Sequence, residues 1–206
     1  MTAPARAIER PVSLAAMREQ ALHCRDCPLG ALATQTVWGE GAARSRLMIV
    51  GEQPGDREDL VGRPFVGPAG HLLDKAFASL GWDRRAVYVT NALKLFKYEL
   101  RGKRRMHKTP GQREILACAH WLQGEIDAIA PAGIVALGGT AARSLLGRPV
   151  KVLGERGQWA QRPDGIRVLV TLHPSALLRG QPADRELEFE RWLTDLRAAS
   201  SVLQVS

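Results

Sequence analysis

Nowhere does the sequence carry an apolar run near the ~20 residues that a membrane-spanning helix requires, so the chain is expected to be soluble. Met1 to Arg10 lacks a basic region leading into an apolar core and a small-residue cleavage site. That argues against a secretory leader and makes the cytoplasm the expected location. Cysteine is scarce: three among 206 residues, too few for a disulfide framework. Internal repeats, low-complexity tracts and interdomain linkers are missing, and the length suits one well-buried domain spanning residues 1–206. No heptad interface is visible, so a monomer is expected. Acidic residues fall short of basic ones, leaving a net charge of +8, a balance that favours a polyanionic partner without saying which.

Part of that excess is concentrated in one stretch. Between Leu100 and Thr109, Arg101, Lys103, Arg104 and Arg105 precede His107, and Lys108 follows it. This is more positive charge than a solvated connection needs, and it suits a nucleic acid held against a nucleophile-capable imidazole. The plain alternative is a flexible basic loop with an incidental histidine.

The cysteines tell a second story. Cys24 and Cys27 form a Cys-x-x-Cys pair, and Cys118 lies far downstream on an expected helix. The pair's spacing lets two thiolates reach one metal centre from a tight turn, with Cys118 as a third once the fold brings it near. A thioredoxin-like redox pair is the weaker alternative, because no strand precedes it. Three free thiols that happen to lie close is the other.

Apolar runs at 46–51, 86–90, 133–137 and 168–172 read as four buried parallel strands. Helical patterns cover 12–21, with Ser13 as cap, then 71–80, 111–129, 141–146 and 184–199. An irregular strand pair is expected across 150–157 and around Trp159. The resulting fold class is α/β, a mainly parallel four-stranded sheet with helices on both faces, and the N-terminal helix and cysteine turn (12–30) pack on it. The strand ends would gather Glu52 with Asp56, Asn91, the Gly138 turn and His173 on one rim, where open α/β sheets bind ligands.

Such a rim can cleave a glycosidic bond on a nucleotide, where C1′ becomes electron-poor as the base departs with negative charge. Phe65 would stack on an extruded base and the Asn91 amide would read its edge. His173 would donate to the base oxygen, a carboxylate such as Glu52 or Asp56 would stabilise the cation or position a nucleophile, and Lys, Arg and Ser175 would hold phosphates. Each residue has a structural alternative: Phe65 as core packing, Asn91 as a turn, His173 as a structural residue of His-Pro, and the carboxylates as solvated charges.

The motifs Gly51-Glu52-Gln53-Pro54-Gly55, Pro64-Phe65-Val66-Gly67-Pro68-Ala69-Gly70, Val89-Thr90-Asn91, Val135-Ala136-Leu137-Gly138 and His173-Pro174-Ser175 closely resemble, in order and spacing, the uracil-DNA glycosylase superfamily, in its iron-sulfur branch. The resemblance spans roughly residues 20–197. Gln53 and the insert Gly102 to Pro110 resemble one subgroup, UdgX. The resemblance implies a three-layer α/β/α fold, a 4Fe-4S cluster on Cys24, Cys27 and Cys118, and uracil-containing DNA as partner. It further implies excision of uracil with the protein left covalently attached, through His107, to C1′ of the abasic sugar. Gln53 and Asp56 would then line the uracil pocket, Phe65 would stack, Asn91 would read the base and His173 would stabilise it as it leaves. Glu52 would orient or activate His107, whose neighbouring cations should disfavour its protonation. Lys103, Arg104, Arg105, Lys108, Ser175 and Arg179 would contact DNA. One departure stands out: the branch commonly has a fourth cysteine where this chain has Leu95. His23 and His120 are the alternatives by nearness alone.

Overall fold

The computed structural model describes residues 13–204. Val12, and the Met1–Arg10 segment in which no leader was read, lie outside them. Helix α1 (Leu14–Leu22) begins where the Ser13 hydroxyl accepts from the Ala16 N–H. It lies against a later helix where Gly124 leaves room for Met17. After the cysteine turn and the short α2 (Leu29–Leu32) comes β1 (Leu47–Gly51), then α3 (Asp56–Val61) and α4 (Pro68–Leu80). Proline at the first position of α4 and left-handed Gly81 after its end, φ 68°, set its limits.

Strand β2 (Val87–Asn91) leads into a hairpin of β3 (Tyr98–Arg101) and β4 (Arg104–His107). Next are α5 (Gln112–Ile129), β5 (Gly133–Leu137), α6 (Gly139–Leu146), the one-turn α7 (Val152–Glu155), β6 (Trp159–Gln161) and β7 (Arg167–Thr171). The chain closes with α8 (Pro174–Arg179), α9 (Arg185–Arg197) and α10 (Ser200–Gln204).

The sheet order is β2-β1-β5-β7-β6, all parallel except β6. It has five strands where four were expected. The fifth is β6, which pairs antiparallel with β7 at the edge. The strand pair expected across 150–157 does not form: Val152–Glu155 is a helical turn, and Trp159–Gln161 finds its partner in β7 instead.

Alternation along the strands divides the core into two layers. Met48, Val50, Ile134, Ala136, Val168 and Val170 pack with α5 and α6. Leu47, Ile49, Val87, Val89, Val135 and Leu137 pack on the other face with α4 and α9, through Leu73, Phe77, Trp192 and Leu196. The result is a three-layer α/β/α arrangement. Register sets Gly51 beside Asn91 and Leu137 beside Thr171, so the four parallel strands end level. The chain turns outward from β1 to β2 and returns across β1 to β5, which puts the topological switch between β1 and β5.

Candidate active site

Over those strand ends lies a cleft of about 900 Å³. Glu52, Gln53, Asp56, Phe65, Asn91, His107, His173, Ser175 and Arg179 all line it, although they come from segments far apart in the chain.

Glu52 follows β1 and spans the switch point. Its Oε2 accepts from the Thr140 hydroxyl at 2.6 Å, and its Oε1 lies 3.2 Å from His107 Nε2. Burial alone would raise the Glu52 pKa. The close approach of His107, the hydrogen bond from Thr140 and the nearby imidazole of His173 outweigh it and hold the carboxyl below its usual range. Glu52 is therefore an ionised acceptor at neutral pH.

His173 caps α8: its Nδ1 accepts from the Ser175 N–H at 3.2 Å and lies 2.8 Å from Ser175 Oγ, which in turn accepts from Arg179 at 3.1 Å. An acceptor at Nδ1 fixes the tautomer that carries its proton on Nε2. Burial, with the positive charges of Arg179 and His107 and against the pull of Glu52, lowers the His173 pKa to about 4. It is a neutral N–H donor. Its ring stacks at 29° with Phe65, centroids 6.2 Å apart. Gly138 packs directly beneath it, where a Cβ would approach the His173 Cβ at 3.2 Å, so that turn serves packing.

Phe65 adopts φ 55°, a left-handed conformation that a bulky residue rarely accepts. Two glycines make room for the arrangement: a Cβ at Gly51 would strike Asn91 Oδ1 and Phe65 Cζ, and one at Gly70 would strike the Phe65 carbonyl. Glu58 fixes the surrounding loop by accepting from the Gly55 and Gly67 amides at 3.1 and 2.9 Å. Asn91 is buried at the end of β2. Its carbonyl accepts from Lys94 Nζ at 2.7 Å, and Lys94 also reaches Thr90 Oγ1 and Glu125 Oε2 at 2.6 and 2.5 Å. This buried ion pair was not anticipated. Its one sequence signal is a lysine amid the apolar residues Ala92, Leu93, Leu95 and Phe96.

The basic stretch is a hairpin, not an irregular loop. Gly102 (φ 61°) and Lys103 form its two-residue turn, and Tyr98 pairs with His107 at the base. Lys103 and Arg104 are exposed around the turn. Arg105, expected to face DNA, turns inward: its guanidinium binds Asp56 Oδ1 and Asp59 Oδ2, each at 2.6 Å, and Thr34 Oγ1 at 3.0 Å. Lys108 pairs across the hairpin with Glu99 at 2.6 Å. Gln53 lines the cleft, yet its amide is taken up by the hairpin's base. Nε2 donates to the Lys97 and Lys108 carbonyls at 3.1 and 3.2 Å, and Oε1 accepts from the Lys97 N–H at 3.2 Å. Asp56 likewise reaches the cleft with its carboxylate engaged by Arg105. Thr140 and Asp59 were not singled out from the sequence.

Away from the cleft, Cys24, Cys27 and Cys118 are all free thiols. Burial, together with the nearness of Cys27 and Cys24 and against stabilising contact with Lys94, raises the Cys118 pKa to about 11. Among the described residues no helix is long and apolar enough to cross a membrane.

Comparison with known proteins gives the arrangement a lineage. Residues 38–197 match the model of the uracil DNA glycosylase superfamily. A type-4 uracil-DNA glycosylase of Thermotoga maritima is 38% identical over 188 residues, covering 90% of this chain and 92% of that protein. A type-4 enzyme of Pyrobaculum aerophilum is 38% identical over 187 residues, covering 87% and 91%. A type-5 uracil-DNA glycosylase from the same organism is 31% identical over 179 residues, covering 73% and 72%. With its strand-end cleft carrying Glu52, Phe65, Asn91 and His173, the chain belongs to the uracil-DNA glycosylase superfamily.

Proposed function

We propose that this protein excises uracil from DNA and retains the abasic sugar, bonded to His107 at C1′, as the UdgX subgroup does. The observation that carries the reading is the His107 Nε2–Glu52 Oε1 approach of 3.2 Å at the cleft. A histidine only touching phosphate would have no reason to sit on the rim's ionised carboxylate.

The extruded uracil stacks on Phe65 and presents its edge to the Asn91 amide. As the C1′–N1 bond breaks, its electron pair leaves with the base, and the neutral His173 donates its Nε2–H to the uracil oxygen that gains charge. A neutral imidazole has one nitrogen lone pair and one N–H. Glu52 accepts that N–H and so holds the ring with its lone pair free, and the lone pair forms the new bond to C1′. The positive charge that appears on the alkylated ring is then balanced by Glu52. Gln53, Asp56 and Arg105 position the hairpin. Lys103 and Arg104 meet the DNA backbone, and Ser175 and Arg179 line its approach to His173. Because the chain itself supplies the nucleophile, the protein acts once.

The three thiols suit an iron-sulfur cluster held by Cys24, Cys27 and Cys118. Trp121 Nε1–H donates to Cys24 Sγ at 3.4 Å, a contact that a sulfur ligand of a cluster receives. Such a cluster ties the N-terminal turn to α5 and supplies no step of the excision.

The test is a denaturing gel of protein incubated with a labelled uracil-containing oligonucleotide, beside a thymine control and His107→Ser. A uracil-dependent band that survives denaturant and is lost in the variant is expected. An adduct that persists in His107→Ser rules out His107 as the nucleophile. Alkali-labile cleavage with no band would make the protein a turnover glycosylase, and an untouched oligonucleotide would leave only a binding role.

A further inference from the structure

The chain has three cysteines, and a cubane of four irons has four corners to ligate. What stands around the thiols therefore decides the fate of the fourth iron. Cys118 is buried in the apolar layer on the α5 face, with Cys27 packed against that layer. Among the described residues no three His, Cys, Asp or Glu side chains converge as ligands of one ion. A single zinc-like ion is thus a poor fit, whereas a cluster spreads its thiolates over separate irons.

The segment Lys94-Leu95 is buried beside the α5 layer that holds Cys118. Leu95 is 3% exposed and belongs to the same apolar layer as Cys118. It has no atom that can bind iron. The two nearby histidines are otherwise disposed. His23 is exposed at the end of α1. His120 is half exposed, its ring 4.3 Å from that of Trp121 and its Nε2 3.5 Å from Asp26 Oδ2.

We infer that the three thiolates hold an iron-sulfur centre with one open corner: Cys24, Cys27 and Cys118 would each bind an iron, and the fourth iron, to which Leu95 in the same buried layer offers no donor, would have no protein ligand. This rests on the cluster reading given above. The open iron is lost to dioxygen. A cubane with two ferrous and two ferric ions releases one ferrous ion and passes one electron to dioxygen, leaving three ferric ions and four sulfides on the three thiolates. The three-iron product matches the sulfur count corner for corner. Either form joins the cysteine turn to α5 through the same three bonds, so excision does not depend on which is present.

The test uses the full chain, purified and reconstituted with iron and sulfide under argon, then exposed to air. Iron and acid-labile sulfide per chain and the electron paramagnetic resonance spectrum are followed for wild type and Leu95→Cys. Wild type is expected to fall from about four irons per chain to about three, with sulfide unchanged and the paramagnetic signal of an oxidised three-iron cluster appearing. Leu95→Cys is expected to keep about four irons and stay silent. Wild type that retains four irons in air overturns the inference and points to Asp26 or His120 as the fourth ligand. Equal iron loss by Leu95→Cys overturns the assignment of Leu95 to the open corner. If wild type takes up neither iron nor sulfide and three thiols titrate as free, the cluster reading itself falls, independently of the uracil gel.

Discussion

Replacing Arg105 with methionine keeps an unbranched apolar stem but removes the guanidinium, which joins the hairpin to α3 and lies 5.5 and 5.1 Å from the Phe96 and Tyr98 ring centroids. The two carboxylates it binds are not equal. Asp56 is half exposed, so its pair contributes no more than about 1 kcal/mol. Asp59 is fully buried against an Arg105 side chain that is 17% exposed, and removing one partner of such a pair costs about 3–5 kcal/mol. Asp59 retains the Thr34 N–H at 3.0 and 3.2 Å, which places the loss at the lower end, about 3 kcal/mol. For a chain of this size that lowers Tm by about 6–12 °C in a calorimetric scan. His107 lies two residues along β4 from Arg105, so the loosened strand also misplaces the imidazole, and adduct formation should slow by about 100-fold. The double variant Arg105→Met/Asp59→Asn separates the two effects. Removing the buried charge should return most of the stability but not the adduct rate. A single variant melting within about 2 °C of wild type, or a double variant forming adduct at the wild-type rate, would refute the anchoring role.

Gln53→Ala removes the three hydrogen bonds at the hairpin's base, about 3 kcal/mol at ~1 kcal/mol for each net bond, and should slow adduct formation by about 100-fold, with uracil still preferred over thymine; lost preference at full rate would make Gln53 a base reader. His173 is held at about 4, below its ordinary 6.5, so its neutral form contributes stability that is complete above about pH 6.5 and lost as the pH falls toward 4, by about 3 kcal/mol in all. Melting scans of His173→Gln between about pH 7 and pH 4 should lack this component. Lys94→Met leaves the Glu125 carboxylate buried without its cation and should cost about 3–5 kcal/mol in urea unfolding. Lys94→Met/Glu125→Gln, which keeps an acceptor for the Gly39 N–H at 2.9 Å and the Tyr88 hydroxyl at 3.0 Å, should be the more stable of the two.

The layers of the fold were legible because burial on both faces writes a strand as a continuous apolar run, and four such runs end within a residue or so of the observed strands. Where burial is one-sided or slight, the pattern fails. Strand β6 is three residues long and only partly buried at an edge, so its pairing with β7 has no local signature. The hairpin was read as a loop because its side chains, Glu99, Arg101, Arg104 and Arg105 among them, are charged, and strand propensity is dominated by packing that these residues do not have. Helix α3 was hidden by the Gly and Pro on either side of it, since Asp56–Val61 is shorter than two turns.

The site was legible as a set of residue types at strand ends, and much less so as a set of pairings. Gln53 and Asp56 do reach the cleft as motif position suggests, but each spends its polar atoms on the hairpin, 44 to 55 residues away for Gln53 and 49 for Asp56. Partners so distant are fixed by tertiary packing, and no periodicity records them. The consequence bears on mechanism. The segment from Glu52 to Asp59 supplies both the carboxylate that His107 approaches and the anchors, Gln53, Asp56 and Asp59, that hold the strand carrying His107. His107 and the carboxylate it approaches are therefore aligned by one stretch of chain rooted at the end of β1. A change in the hairpin's register displaces His107 from Glu52 while leaving Phe65, Asn91 and His173 in place, so weakened anchors should cost the covalent step proposed for His107 before they cost uracil binding.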